Sequence, residues 1–293
     1  MFISHSFKVS IATAVVLAAG VGSSRSTTYN VPTGSYPTVA SALAVAGDND
    51  AINLVGDVSE PGFTISLNGI VILGNTNDIT LNNGSPIYIT GDDCGIVNTD
   101  IRTSTQSGDC VKLASSVSYA FFDDSYFIGT PGSSYSYGID DWGATSVNVA
   151  NSMSADLAKS IDALNSASYT VYNCAFYNYF QGINFYSSTT GNKSLTVNGG
   201  AIYVWNYTQS NSVCIRAKHN SSTGRNYISI TNNCYLWLNG AALSGCYPLV
   251  LEGYNNCYLY SVIFGQCPNG DAWSKQATDN VYEYSVTYQG NCR

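Results

Sequence analysis

Charge is scarce in this chain. Of 293 residues, 10% are charged, with 11 Lys+Arg, 19 Asp+Glu and two histidines. The first 26 residues hold two of the bases, Lys8 and Arg25, and no acid; without them nine bases face 19 acids, a net charge of about −10. An acidic chain lacks the basic face that phosphate contacts need, which excludes general nucleic-acid binding. Histidine is nearly absent as well: after residue 26 only His219 remains, and no two cysteines stand in a CxxC pair, so a zinc site is not expected. No segment after the N-terminus reaches 18 consecutive apolar residues, so no spanning helix and no membrane partner are expected. Helical periodicity is almost missing too. The short stretch Val39–Ala46, with Thr38 as a cap and Gly47 as a stop, is the one helix candidate.

What is present is apolar, aromatic and neutral-polar. Hydrophobic residues make up 45% of the chain, with 23 Tyr, 10 Phe and 4 Trp, far too many for an unpacked chain. Met1 to Lys8 carries one positive charge, Val9 to Val21 is a run of small apolar residues, and Gly22-Ser23-Ser24 supplies small residues for cleavage. That is the layout of a secretory signal peptide, assigned to residues 1–26. Export makes nine cysteines read as several disulfides plus one odd thiol, with the pairing left open. Four sequons, at Asn83, Asn192, Asn206 and Asn220, suit a secreted glycoprotein.

From Asp50 onward the chain reads as short alternating strands broken by Gly, Asn, Asp and Ser, and the strands fall into columns. One series is Val111-Lys-Leu, Ile139-Asp-Asp-Trp, Ile161-Asp-Ala-Leu, Ile183-Asn-Phe-Tyr, Ile215-Arg-Ala-Lys and Leu249-Val-Leu-Glu. A second series ends in turn residues at Asn98, Asp124, Asn151, Asn173, Asn198, Asn233 and Ser261. The offset from the first series to the second runs from 12 to 18 residues, while successive turns lie 22 to 35 apart. A steady inner offset with a variable outer loop describes a coil that repeats in space. The expected fold is all-β: a parallel β-helix, with residues 27–56 as N-terminal cap and first coil and 57–293 as a single solenoid domain, its right hand being what the resemblance given below implies. The rival, an antiparallel β-sandwich, would need hairpin turns such as Asn83-Gly84 and Asn239-Gly240 in greater number.

Alternation along a strand places the residue after each first-series aliphatic on the outer face. The expected outward column is Lys112, Asp140, Asp162, Asn184, Arg216 and Val250, and a parallel column two residues on is Ala114, Trp142, Leu164, Tyr186, Lys218 and Glu252. Stacked aspartates repel, so one carboxyl rises in pKa and an acid and a base arise from one residue type. Asp140, Asp162, Arg216 and Lys218 are therefore the catalytic candidates, and Lys112, Trp142, Asn184, Tyr186 and Glu252 the substrate-binding ones. A further reading has Asp140, Asp141 and Asp162 ligate Ca2+, although no cofactor is required by the first. Strict alternation points Asp141 inward, so this reading needs a bulge or a shifted register.

The pattern resembles the pectin-lyase-like right-handed β-helix superfamily. Tyr36-Pro-Thr-Val-Ala-Ser-Ala-Leu followed by Gly47-Asp-Asn-Asp-Ala-Ile-Asn-Leu-Val-Gly56 looks like its opening, a capping helix and a Gly-Asp turn into the first strand. Asp140-Asp141 and Arg216-Ala-Lys218 look like two motifs of its polygalacturonases. Asn98-Thr-Asp100 matches a third in letters but falls in the turn column, Gly91-Asp-Asp-Cys94 lies in the wrong order, and the His-Gly motif is missing, with His219 beside Arg-x-Lys instead. The resemblance implies a secreted protein acting on cell-wall polysaccharide, pectic or uronic chains included, by hydrolysis or Ca2+-assisted β-elimination. The alternative is a non-catalytic extracellular glycan-binding, adhesive or wall-structural β-helix, in which an exposed Tyr ladder stacks on neutral sugars. Oligomeric state is not legible.

Overall fold

The computed structural model describes residues 26–130, 135–206, 210–240 and 245–293. The signal-peptide assignment therefore lies outside the described residues. Within them the chain winds three parallel walls. One holds eleven strands from Thr28–Val31 to Asn280–Tyr284, one holds ten from Val58–Glu60 to Thr287–Tyr288, and one holds nine from Thr64–Ile65 to Trp273–Lys275. Strands visit the walls in a fixed order, eleven, ten, nine, and each pairs in parallel with its counterpart one coil away. The chain is thus a parallel β-helix, and the sandwich alternative is set aside.

The driving force is visible in the inward columns. On the eleven-stranded wall Ile72, Ile96, Phe122, Val149, Val171, Val197, Ile230 and Leu259 stand in register, each at most 1% exposed. On the nine-stranded wall Ile87, Val111, Ile139, Ile161, Ile183, Ile215 and Leu249 do the same. Each such side chain withdrawn from water contributes roughly 1.5–3 kcal/mol. A one-residue slip would turn every one of them outward, so these columns set the register.

The corner between the eleven- and ten-stranded walls is built by left-handed residues, one in most coils and two at Asn75-Thr76 and Asn232-Asn233. Asn98, Asp124, Asn151, Asn173, Asn232, Asn233, Ser261 and Ser285 all have φ between 48° and 58°. Asn and Asp tolerate this region better than other L-residues, which is why they recur at the coil period. Their side chains bond along the axis: Asn151 donates to Asp123 at 3.0 Å and Asn173 to Asn151 at 3.1 Å. Asn198 differs from expectation. It ends its strand, and the left-handed turn falls on Gly199 and Gly200, where a Cβ on Gly200 would lie 2.1 Å from the Cys174 carbonyl oxygen.

The helix runs Val39–Leu43, shorter than the pattern suggested, with Thr38 and Ser41 forming a capping box. Val39 and Ala42 are buried against the first coil. Buried Glu60, from the ten-stranded wall, accepts the Val39 and Ala40 amides at 2.8 and 3.1 Å, satisfying two groups that a helix start leaves open.

The expectation of several disulfides is not met among the described residues. One bond joins Cys267 to Cys292. Cys94, Cys110, Cys174, Cys214, Cys234 and Cys257 are buried thiols instead. Burial pushes the Cys94 thiol up to about 11, and Cys110, Cys174 and Cys234 up to about 12, so they serve as small core hydrophobes. Sequence counting could not separate these from bonded cysteines, because export licenses disulfides without requiring them.

Candidate functional site

The outer face of the nine-stranded wall carries the charged strip. Its register runs Thr64, Tyr88, Lys112, Asp140, Asp162, Asn184, Arg216, Val250 and Ser274 along one line. Leu164, Tyr186, Lys218 and Glu252 form the second line. The first column read from alternation is therefore a line of real neighbours, spaced at the roughly 4.8 Å of adjacent strands, and so are the last four members of the second; Ala114 and Trp142 fall beyond the ends of their paired strands.

The strip divides into two clusters. In the first, Asp140 is 5% exposed beneath Trp142, whose indole Nε1 donates to both carboxylate oxygens at 3.0 and 2.9 Å. Lys112 Nζ lies 3.2 Å from the same carboxylate and 3.7 Å above the centre of the Trp142 ring. One coil on, Asp162 takes an ion pair from Lys159 at 2.9 Å and a hydrogen bond from Asn184 Nδ2 at 2.6 Å. Lys159 in turn sits 4.9 Å from the Tyr137 ring. Burial raises the Asp140 carboxyl above the usual carboxylate range, opposed by the Lys112 charge.

Sequence reasoning missed Asp109. It belongs to the same cluster and accepts the Tyr137 amide at 3.0 Å. Burial first, then the charge of Asp140, pushes its carboxyl up to about 7, against the pull of the Tyr137 amide and Lys112. The signal was a third line, two residues before the aliphatic series: Asp109, Tyr137, Lys159 and Gln181. Gly138 and Gly182 break strict alternation there, since each faces inward beside Ile139 and Ile183.

The second cluster is Arg216, Lys218 and Glu252. Glu252 meets Arg216 at 2.6 Å and Lys218 at 3.6 Å, so the two cations already share an internal carboxylate. Asn184 stands between Asp162 and Arg216 in the register, which sets the expected catalytic cation two coils from the acid. Tyr186 accepts a hydrogen bond from Asn220 Nδ2 at 2.9 Å, tying that sequon to the rim of this cluster. Asn83 and Asn192 are exposed on loops, and Asn206 ends a strand whose following residues lie outside the described set.

The Ca2+ reading loses one of its three ligands. Asp141 is fully buried on the inner face, in line with Leu113 and Ala163, with no bulge between it and Asp140. Its Oδ1 accepts the Gly143 and Ala144 amides at 2.9 and 2.8 Å, and its Oδ2 accepts the Ser166 hydroxyl. It shapes the turn after the strand and cannot reach outward. Among the described residues no three His, Cys, Asp or Glu side chains converge as a metal site. His219 is also buried and bonds the Gly191 carbonyl at 3.2 Å, so it does not face the strip.

A groove of about 340 Å3 adjoins the first cluster, lined by Phe63, Thr64, Ser85, Pro86, Tyr88 and Lys112. Lys112 thus joins an open cleft to the acids. No helix among the described residues is long and apolar enough to cross a membrane. No family model and no curated protein matches the chain. Among solved structures it is similar to the pectin methylesterase from Aspergillus niger in a deglycosylated form, at 14% identity, TM-score 0.46, over 93% of this chain and 91% of that one.

Proposed function

We propose that this is a secreted enzyme that hydrolyses a cell-wall polysaccharide on the outer face of the nine-stranded wall. The observation that carries the reading is the cluster of Asp109, Asp140 and Asp162 on successive coils, with Asp109 raised to about 7 and Asp162 ion-paired to Lys159. A carboxyl group that keeps its proton and a second carboxyl nearby are what glycosidic cleavage needs. Asp109 gives its proton to the glycosidic oxygen as that bond breaks. Water adds at the anomeric carbon and yields its proton to the Asp162 carboxylate. The chain would enter along the groove beside Lys112, whose ammonium, with that of Lys159, offsets acidic sugar units. Asp140 and Asp162 each already have a lysine partner, which favours this route over Ca2+-assisted elimination.

A second reading, a non-catalytic glycan-binding protein, is favoured by one observation. Asp140, Asp162 and Glu252 are all held by intramolecular donors, as resting surface charge would be.

The test is release of reducing ends and of unsaturated products from pectic and neutral wall polysaccharides, with and without chelator. The expected result is reducing-end release that resists chelator and falls at least about 100-fold in Asp109→Asn and Asp162→Asn, the lower end of what a general acid or base contributes. Chelator-sensitive unsaturated product would replace hydrolysis by elimination. Absence of turnover with retained glycan binding would leave the binding protein.

A further inference from the structure

A second groove, of about 350 Å3, opens at the corner where the ten-stranded wall leads into the nine-stranded one. It is lined by Ala155, Asp156, Tyr177, Asn178, Tyr179 and Trp205. Its origin lies in one column of that wall, which reads Arg102, Ile128, Ala155, Tyr177, Tyr203 and Trp237. Tyr177 and Tyr203 stack with ring centres 5.0 Å apart and planes 4° from parallel. Stacked rings cover each other's faces and turn their edges to water. The two rings of the Tyr177–Tyr203 pair are therefore no platform on the faces they turn to each other.

A ladder ends somewhere, and there one face is open. Tyr177 is the first aromatic of its column, and the position before it is Ala155, which has no atoms beyond Cβ to cover a ring. The free face of Tyr177 thus looks across Ala155 into the groove. On its rim Asp156 is held in a left-handed turn at φ 59°, and Tyr179 donates its hydroxyl to Asp156 Oδ1 at 2.8 Å. The other carboxylate oxygen, Oδ2, has no bonded partner among the described residues. Trp205, 37% exposed, forms the opposite side.

We propose that this groove is a binding subsite for a neutral pyranose unit of a glycan chain. An aromatic face takes the C–H side of a sugar ring, and a carboxylate oxygen takes its vicinal hydroxyls. The volume suits one small ring rather than an extended ligand. A uronate is disfavoured, because its carboxylate would meet Asp156 on a chain of net charge −8. The aromatic platform stands on the ten-stranded wall and Asp140 and Asp162 on the nine-stranded one, so the subsite would hold a different sugar unit from the one at the acids.

The experiment is calorimetric titration of the full chain with cellohexaose, mannohexaose, xylohexaose and laminarihexaose, and with hexagalacturonate as the charged comparison. At least one neutral hexasaccharide should bind saturably and hexagalacturonate should not bind at this groove. Tyr177→Ala, which removes the platform, and Ala155→Leu, which fills the groove while keeping the ring, should each weaken binding at least tenfold. Both should keep the wild-type circular dichroism and melting transition. Asp156→Asn, which keeps the turn, should weaken it less. Asp162→Asn should leave this binding unchanged, which separates the subsite from the acid strip whatever becomes of turnover. Binding by no neutral probe, or equal binding by wild type, Tyr177→Ala and Ala155→Leu, overturns the proposal.

Discussion

Asp109 shows how a single residue couples stability to pH. Its carboxyl titrates near 3.8 when unperturbed and at about 7 in the fold. Between those values the folded chain keeps a proton that the unfolded chain has released. Unfolding then becomes easier as pH rises, so the stabilising effect is complete below about pH 4, declines through the window and is gone above about 7. Burial also raises Asp140, Asp141 and Glu60, which act in the same direction. Melting temperature should therefore fall by several degrees between pH 4 and 7, and Asp109→Asn should flatten much of that slope. A wild-type curve that rises over the same range would refute the assignment. The sequence showed the aspartate pair at 140 and 162 because both follow an aliphatic residue at the coil period. It hid Asp109 because inward Gly138 and Gly182 interrupt the two-residue alternation on that side of the column.

Corners and caps decide whether the strands stay in register. Asn151 sits at φ 48° and links Asp123 to Asn173 through its amide. Replacing it with alanine keeps a Cβ in the left-handed region without the side-chain amide that makes asparagine tolerant of it, and removes both links, at a cost of roughly 1–2 kcal/mol. Asn151→Gly keeps the backbone freedom and loses only the links, so chemical denaturation should find it more stable than Asn151→Ala. The reverse order would mean that the ladder, not the backbone, governs the corner. At the start of the solenoid, Glu60→Ala leaves the buried Val39 amide and the part-buried Ala40 amide without their acceptor and should cost about 1–3 kcal/mol. The corner asparagines were legible because left-handed backbone demands a particular residue type. The Glu60 contact was not, because it joins residues 20 and 21 apart through no repeating pattern.

The whole molecule is a stack in which each coil is held by its neighbours, and its periodicity was the most readable property of the sequence. Columns of aliphatic residues predicted the walls, and the walls brought distant charges together. What periodicity does not carry is what each charge pairs with: Arg216 and Lys218 turned to Glu252 rather than to the acids, and Asp141 turned inward to its own corner. The function proposed for this assembly rests on Asp109 donating a proton from a surface where Asp162 stays ion-paired. Its most direct test is the pH dependence of kcat/KM on a wall polysaccharide. The account predicts a falling limb centred at about 7 that disappears in Asp109→Asn, together with most of the rate. The same limb in the variant, or no turnover by the wild-type protein at any pH, would contradict it.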